Sequence, residues 1–283
     1  MKKLNLEQGT DEWLEWRRGL LTATDAAVLL GESPYDTPFT GWQRKCGYIP
    51  EKTKTAPMQR GIDDEPIARA LFIEEYGINM TPCCIESETN TFIGASLDGI
   101  SDCGRYGLEV KSQRPVDEVP RLHWLQMQHQ MSSSDKVMEK IFYVSHWEGR
   151  NITFEVVRDD EWEKSYIPQA FKYWSFVVFK ESPPLLPKDY QDRTYDPEWS
   201  TAAQQYKEVN AQIKALEKLK EGYREKLIEL TGEQNAMGCG LKVLKKFTKG
   251  RIDYKEVVET QNVIFNEDHF RKPPSFSWTI MGE

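Results

Sequence analysis

The stretch TFIGASLDGISDCGRYGLEVKS, residues 91–112, decides the fold of the first part of this chain. Its two halves, TFIGASLDGI (91–100) and YGLEVKS (106–112), are typical of β-strands, and the turn between them contains glycine and aspartate. Two strands joined by so short a connection are predicted to lie side by side. The stretch therefore predicts a sheet, with Asp98 at the end of its first strand.

Polar residues of the second strand are predicted to share one face. Side chains two residues apart on a strand point the same way, so Glu109 and Lys111 lie together while Leu108 and Val110 face a core. The short turn brings Asp98 beside them. Glu-x-Lys is also common on a solvated strand face where 29% of residues are charged. The residues alone leave a catalytic group and a solvated face both open.

Two carboxylates that meet an ammonium group suit one chemistry in particular, the metal-dependent hydrolysis of phosphodiesters. Carboxylate oxygens are the ligands that Mg²⁺ prefers. The metal lowers the pKa of a bound water and neutralises charge that develops on phosphorus, while a lysine orients or deprotonates that water.

Working outward, helices and further strands surround this pair. The pattern predicts helices over 11–19, 25–30, 60–76, 118–132 and 161–180, and a hairpin formed by 140–147 and 151–157. Pro66 is expected to start or kink the third helix, since proline removes a helical hydrogen bond. The predicted fold class is α/β (α+β), with a C-terminal long helix and a small β element.

Four segments are predicted along the chain: a core over 1–181, a proline-rich linker over 182–198, a heptad-patterned helix over 199–231 and a small basic β-containing tail over 232–283. Four prolines between 183 and 197 forbid a continuous helix or a central strand. The heptad stripe fits a helix packed back on its own domain and an intermolecular coiled coil equally well. The tail is predicted to contain strands at GLKVLKKF, RIDYKEV and SFSWTIM.

Composition excludes some classes of protein. The chain has 283 residues, and 39% of them are hydrophobic, which is enough for a core. No stretch approaches the roughly 18 apolar residues of a membrane span, and the first residues lack the apolar part of a signal peptide. Five cysteines lack zinc-ligand spacing, so a reduced intracellular chain is expected. The net charge of −8 argues mildly against nucleic acid, although bound metal ions invert a local field.

Other candidates have a structural and a functional interpretation. Glu65 fits an ordinary pair with Arg69 one helical turn away. Gln128 lies on an apolar helix stripe, so its amide is either satisfied in the core or a ligand contact. Arg17 and Thr24 flank a helix start that could hold a phosphate or be a simple cap. The tail carries five basic residues that could follow a DNA backbone, or line a solvated hairpin: Lys242, Lys245, Lys246, Lys249 and Arg251.

Taken in order, several segments resemble the lambda exonuclease family, the YqaJ-like viral recombinases within the PD-(D/E)xK nucleases. The matching segments are EQGTDEWLEWRRGLLTATD (7–25), G61-x-x-x-E65-x-x-A68-R69, LDG (97–99), LEVK (108–111) and QMQ (126–128). The similarity ends before the segment that follows the linker. Leu97 stands where the family's name motif has proline, and Asp117 stands where the family has a phosphate-contacting arginine.

This resemblance implies a PD-(D/E)xK restriction-endonuclease-like core, with a mixed central sheet flanked by helices. It implies an exonuclease that degrades one strand of linear double-stranded DNA from its 5′ end and needs two Mg²⁺ per active site, which Mn²⁺ can replace. Asp98, Glu109, the Val110 carbonyl and Glu65 would then bind metal, and Lys111 would activate water. The 5′-phosphate pocket would be lined by Arg17, Thr24 and Gln128, with Arg114 as a substitute for the missing arginine.

The resemblance also implies partners and a location. The 3′ tails would be used in phage-type recombination by a single-strand annealing protein, and the chain would form a homo-oligomer, a ring trimer in some relatives. A phage or prophage gene expressed in the bacterial cytoplasm is expected. Two alternatives stay open: a restriction-like endonuclease, and a non-catalytic factor that binds DNA ends or directs assembly.

Overall fold

The computed structural model describes residues 1–245 apart from 51, 52, 54 and 233. The chain divides into two compact units, Met1–Gln191 and Asp192–Glu283. The division lies inside the segment 182–198, where the prolines predict a linker.

The first unit is built on one six-stranded sheet. Its strands are β1 Lys2–Leu4, β2 Met80–Glu86, β3 Gly94–Ser101, β4 Tyr106–Ser112, β5 Lys140–Trp147 and β6 Arg150–Val157. They lie side by side in chain order. Neighbours are antiparallel, except that β4 and β5 run parallel. The mixed sheet confirms the predicted α/β class.

Helices cover both faces of this sheet. They are α1 Asp11–Arg18, α2 Asp25–Leu29, α3 Pro38–Lys45, α4 Ala56–Tyr76, α5 Arg121–Ser132 and α6 Asp160–Phe179. On one face, Phe72 of α4 belongs to a core cluster with Leu108 and Val110. On the other, Met127 of α5 packs in a cluster with Tyr143. Successive residues of β4 therefore point alternately toward α4 and α5.

Two expectations about this unit are wrong. Helix α4 runs without interruption from Ala56 to Tyr76, with Pro66 inside it. Pro66 and the carbonyl donor position one turn earlier, Ile62, are both exposed, so water can take the bond that proline cannot make. Asp98 lies in the middle of β3 rather than at its end. The following glycine is required by packing, because a Cβ on Gly99 would lie 2.9 Å from Cβ of Met80.

The second unit contains a long helix and a hairpin in its described part. Helix α7 spans Pro197–Leu230, and strands β7 Ala236–Gly238 and β8 Leu241–Val243 pair antiparallel. Asp196 caps the helix by accepting hydrogen bonds from two backbone N–H groups of the first turn. No residue of α7 is buried. The predicted strands RIDYKEV and SFSWTIM lie outside the described residues, as do Lys246, Lys249 and Arg251.

Two further observations concern the chain as far as it is described. None of its helices combines the length and the apolar character needed to cross a bilayer. All five cysteines are free thiols.

Candidate active site

The site forms where β3 and β4 separate. Their ladder pairs only Gly99 with Leu108 and Ile100 with Gly107. One step further, the backbone N–H of Val110 donates to Oδ2 of Asp98, at 2.7 Å, instead of to a strand carbonyl. A side chain thus replaces the ladder at this point, and the gap between the strands holds a carboxylate.

Glu109 is almost fully buried on the α5 face, with 2% of its side chain exposed. Lys111 donates to Oε1 of Glu109, as expected for two side chains on one strand face. Helix α5 adds two amides: Gln126 Nε2 donates to Oε1 at 2.7 Å, and Gln130 Nε2 donates to Oε2 at 2.6 Å. Three donors therefore fix both oxygens of a buried carboxylate, which is the condition under which such a charge is tolerated.

The charges at this site shift each other's pKa values. Burial raises the pKa of Asp98 well above its ordinary value, and the negative charges of Glu109 and Glu65 add to that rise. Burial opposes the charge on Lys111, but the carboxylates of Glu109 and Asp98 hold the pKa of its ammonium above the ordinary value. Lys111 is therefore protonated here and acts as a hydrogen-bond donor.

Glu65 reaches the site from α4 together with Arg69. Nη1 of Arg69 donates to Oε1 of Glu65 at 2.6 Å and to the backbone carbonyl of Asp98 at 2.7 Å. The pair is mostly buried, with 16% and 25% of the two side chains exposed. The predicted pair one turn apart is thus present, and it also ties α4 to the strand that carries Asp98.

The donor chemistry of this site fits a hard divalent cation. Asp98, Glu109 and Glu65 are carboxylates, and the Val110 carbonyl lies between Glu109 and Lys111 in the chain. Oε1 of Gln130, on the amide that holds Glu109, is buried and has no hydrogen-bond partner among the described residues. The raised pKa of Asp98 indicates an excess of negative charge that a cation would relieve.

The carboxylates are already engaged within the protein. Across the described part of the chain, no group of three or more His, Cys, Asp or Glu side chains is arranged to hold a metal ion. Glu109 is turned to Lys111 and the two glutamines, and Glu65 is turned to Arg69. An ion bound here would share these acids with the basic side chains that now hold them.

Arg17 and Thr24 lie together near the start of the chain. Nη2 of Arg17 donates to Oγ1 of Thr24 at 3.0 Å, and the guanidinium lies 4.5 Å from the ring centroid of Trp13. Trp13 in turn donates to Oγ of Ser96, two residues before Asp98. Helix α1 is therefore anchored to the strand of the candidate site, although no printed sequence pattern required that contact.

The structure does not bring Gln128 to the acids. Gln128 is buried, its Nε2 donates to the Val157 carbonyl at 2.8 Å, and its Oε1 accepts from the Asp159 N–H at 2.9 Å. Both ends of the amide are thus used in the core. Of its two open interpretations, the structure supports the satisfied core glutamine.

Arg114 and the described lysines of the tail lie elsewhere. The Arg114 guanidinium lies 6.0 Å from the ring centroid of Trp147, beyond the end of β4. Lys242 is exposed on β8, and the backbone N–H of Lys245 donates to Oδ1 of Asn235. These two lysines belong to the second unit.

Sequence reasoning overlooked Gln130 and gave Gln126 no role. Residues four apart lie on the same face of a helix, so Gln126 and Gln130 point together while Gln128 points away. Two buried amides at this spacing on a helix that covers a sheet were the signal that could have located them.

Comparison with known proteins agrees with this architecture. Residues 12–137 match the family model of the YqaJ-like viral recombinase domain. The chain is 24% identical over 193 residues to the uncharacterized protein YqaJ of Bacillus subtilis (strain 168), an alignment that covers 64% of this chain and 60% of that relative. The matched part of this chain thus spans less than two thirds of the relative's length.

A solved structure shares the fold of the first unit. It is the alkaline exonuclease LHK-Exo from Laribacter hongkongensis, with a TM-score of 0.54 and 22% identity over 61% of this chain and 94% of that one. A second structure of that exonuclease, in complex with dAMP, gives the same values. Residues 12–137 of this chain are therefore a YqaJ-like viral recombinase domain, within a unit whose fold is similar to that of an alkaline exonuclease.

Proposed function

We propose that this protein is a divalent-metal-dependent nuclease that degrades one strand of linear double-stranded DNA from its 5′ end and leaves 3′ single-stranded tails. The observation that carries the proposal is the convergence of Asp98 and Glu109 with Lys111 where β3 and β4 separate. The domain match and the likeness to an alkaline exonuclease support it. LHK-Exo has been solved with dAMP, a nucleoside monophosphate of the kind that an exonuclease releases.

The proposed metal ligands are Asp98, Glu109, the Val110 carbonyl and Glu65. Mg²⁺, or Mn²⁺ in its place, would supply Lewis acidity toward the phosphate and a water of lowered pKa, with two ions at the site. Gln126 and Gln130 hold Glu109 in one orientation, and Arg69 holds Glu65 against β3. These contacts keep the acids in place without a substrate, so little rearrangement is needed when DNA binds.

Lys111 has the role of a hydrogen-bond donor in this proposal. Its ammonium lies on the same strand face as Glu109, and its raised pKa keeps it charged. A charged amine next to the acids can orient a water and offset negative charge on the phosphate. Arg17 and Thr24 are proposed to contact the 5′-phosphate, since they form one polar group anchored through Trp13 beside β3.

The experiment that tests the activity is digestion of linear duplex DNA labelled at one end, with Mg²⁺. Substrates with 5′-phosphate and 5′-hydroxyl ends are compared with closed circles, and the Lys111→Ala protein is the control. Loss of the 5′ strand from linear DNA only, abolished by the substitution, is the expected result.

Other outcomes of this experiment favour the alternatives. Cleavage of closed circles would place the protein among restriction-like endonucleases, because an exonuclease needs an end. Binding to ends without cleavage would indicate a non-catalytic end-binding or assembly factor.

The wider role is part of the same proposal. A 3′ tail is the substrate of single-strand annealing, so an annealing protein is the proposed partner, in a phage- or prophage-derived recombination system of the bacterial cytoplasm. Self-association, as a ring trimer, would keep the enzyme on its DNA. Sedimentation velocity with and without DNA tests that assembly.

A further inference from the structure

Three arginines surround one tryptophan just beyond the candidate active site. Trp147 is the last residue of β5, and β5 runs parallel to the strand that carries Lys111. The guanidinium of Arg60, from α4, lies 5.4 Å from the Trp147 ring centroid, and that of Arg114 lies 6.0 Å from it. Arg150 is paired with Trp147 in the β5–β6 register.

Both stacked guanidinium groups retain free donors. Arg60 and Arg114 are exposed, as is Arg150. Nε of Arg60 donates to Oγ of Ser112 at 3.3 Å, and the Ser112 hydroxyl donates to Asp64. Within the described residues, no carboxylate forms an ion pair with any of the three arginines. The ring supports the guanidinium planes, while their N–H groups remain available to an anion.

The position of this group relative to the acids matches the spacing of a nucleic acid strand. Arg114 follows Lys111 by three residues, and at about 3.3 Å per residue its backbone lies at most about 10 Å further along. Neighbouring nucleotides of one duplex strand are about 3.4 Å apart along the axis, so this reach is about three nucleotides. Arg60 is linked to Asp64, the residue before Glu65, through Ser112.

We propose that Arg60, Arg114 and Arg150, with Trp147 as the support for the first two, form a binding site for internal phosphates of the DNA strand that occupies the active site. This inference rests on the proposed function, because it gives a role in substrate binding to residues beside the acids. Guanidinium groups bind phosphate oxygens by paired, charge-assisted hydrogen bonds. Arg60 and Trp147 thereby gain a role, and Arg114 is assigned to the backbone rather than to the terminal phosphate.

The test is equilibrium binding in EDTA, so that cleavage plays no part. Duplexes labelled at the 3′ end, with either a 5′-phosphate or a 5′-hydroxyl, are titrated with the full chain while anisotropy is followed over a series of salt concentrations. The variants are Arg60→Ala/Arg114→Ala and Trp147→Leu. Arg105→Ala is the matched control, since Arg105 is also exposed and 5.9 Å from the ring centroid of Tyr106, but lies at the opposite end of β4 and is held by Glu139.

The double variant is expected to lose affinity by at least about tenfold, as for a lost charge-assisted hydrogen bond. Its salt dependence should fall by about two in slope, one for each phosphate contact. Trp147→Leu should lose about two- to fivefold at an unchanged slope, because the charges remain but their support is gone. Arg105→Ala should bind as the parent does.

The two kinds of phosphate are separated by the two kinds of end. An equal loss on 5′-phosphate and 5′-hydroxyl duplexes supports an internal phosphate site. A loss confined to 5′-phosphate ends would overturn it in favour of a terminal phosphate pocket, and unchanged affinity and slope in the double variant would overturn it altogether. If the parent binds DNA through these residues yet cleaves no DNA, the proposed function fails while this site stands.

Discussion

The backbone N–H of Val110 donates to the carboxylate of Asp98, at 2.7 Å, at the point where the ladder between β3 and β4 ends. One hydrogen bond therefore orients an acid of the candidate site and takes the place of a strand contact. An acceptor is needed at this position for the fold, but a negative charge is not. Structure and function make different demands on the same side chain, and a substitution can separate them.

Asp98→Asn is expected to abolish cleavage and to stabilise the fold. The amide oxygen still accepts from Val110, while the charge that burial, Glu109 and Glu65 disfavour is removed. The free energy of unfolding should rise by about 0.5–2 kcal/mol, the range of typical stabilising substitutions. Activity should fall by at least about a hundredfold, since even outer-shell residues of metal sites cost 10–100-fold. Urea unfolding and the DNA digestion assay measure the two effects.

The matched control for this substitution is Asp102→Asn. Asp102 is an exposed aspartate of the same hairpin, bonded to Asn79. It should change neither quantity. A destabilised Asp98→Asn protein would contradict the idea that the Asp98 charge is strained in the absence of metal.

Gln130→Leu is expected to weaken metal binding as well as the fold. The substitution removes the donor to Oε2 of Glu109 and leaves a buried carboxylate with one oxygen unsatisfied, which costs about 1–3 kcal/mol. Gln128→Leu is the control, because Gln128 is equally buried in the same helix but bonds only the backbone around β6. Both variants should lose stability, and only Gln130→Leu should show a reduced rise of the melting temperature with Mg²⁺. An equal response of the two variants to Mg²⁺ would contradict the role given to Gln130.

The stability of the protein is expected to fall as the pH drops from about 6.5 to about 4. His129 is fully buried, accepts from the Tyr166 hydroxyl and donates from Nε2 to the Gly94 carbonyl, which fixes the neutral ring. Burial lowers its pKa to about 4, and burial lowers the pKa of His123 to about 4 as well. In the unfolded chain a histidine binds its proton near pH 6.5. Between the two values the unfolded state holds more protons, so stability is lost with falling pH.

For His129 the loss is at most about 3 kcal/mol over that range, and it is complete below pH 4. Urea unfolding at a series of pH values measures it. His129→Gln keeps a donor and an acceptor but does not titrate, so its profile should be flatter than that of the parent. Parallel profiles for the two proteins would show that His129 does not cause the pH dependence.

Much of the fold followed from residue periodicity, and the parts that did not have identifiable causes. The two-residue repeat placed Glu109 and Lys111 on one face, where the structure joins them. Strand β2 contains Pro82, which sits at a shift of register between Thr81 and Cys83, so its sequence does not read as a regular strand.

The site shows a similar division. The acids and the lysine could be found because a strand fixes the direction of each side chain. The donors that hold Glu109 come from α5, and a motif of two glutamines pointed to Gln128, whereas helical spacing selects Gln126 and Gln130. The arginines around Trp147 come from α4, the loop after β4 and the β5–β6 hairpin, so only the three-dimensional fold brings them together.

Two glycines of the second unit should respond in opposite ways to substitution by alanine. Gly222 lies within α7, and a Cβ there would meet no atom within 4 Å. Gly222→Ala should stabilise the helix by about 1 kcal/mol, because glycine is the poorer helix former. Gly232 follows the helix with φ of +58°, a conformation that L-residues rarely adopt, so Gly232→Ala should destabilise the helix end despite equal space. Thermal melting followed by circular dichroism at 222 nm, a roughly helix-specific signal, compares the two proteins with the parent. A loss of helical signal in Gly222→Ala would mean that α7 is not a continuous helix through this position.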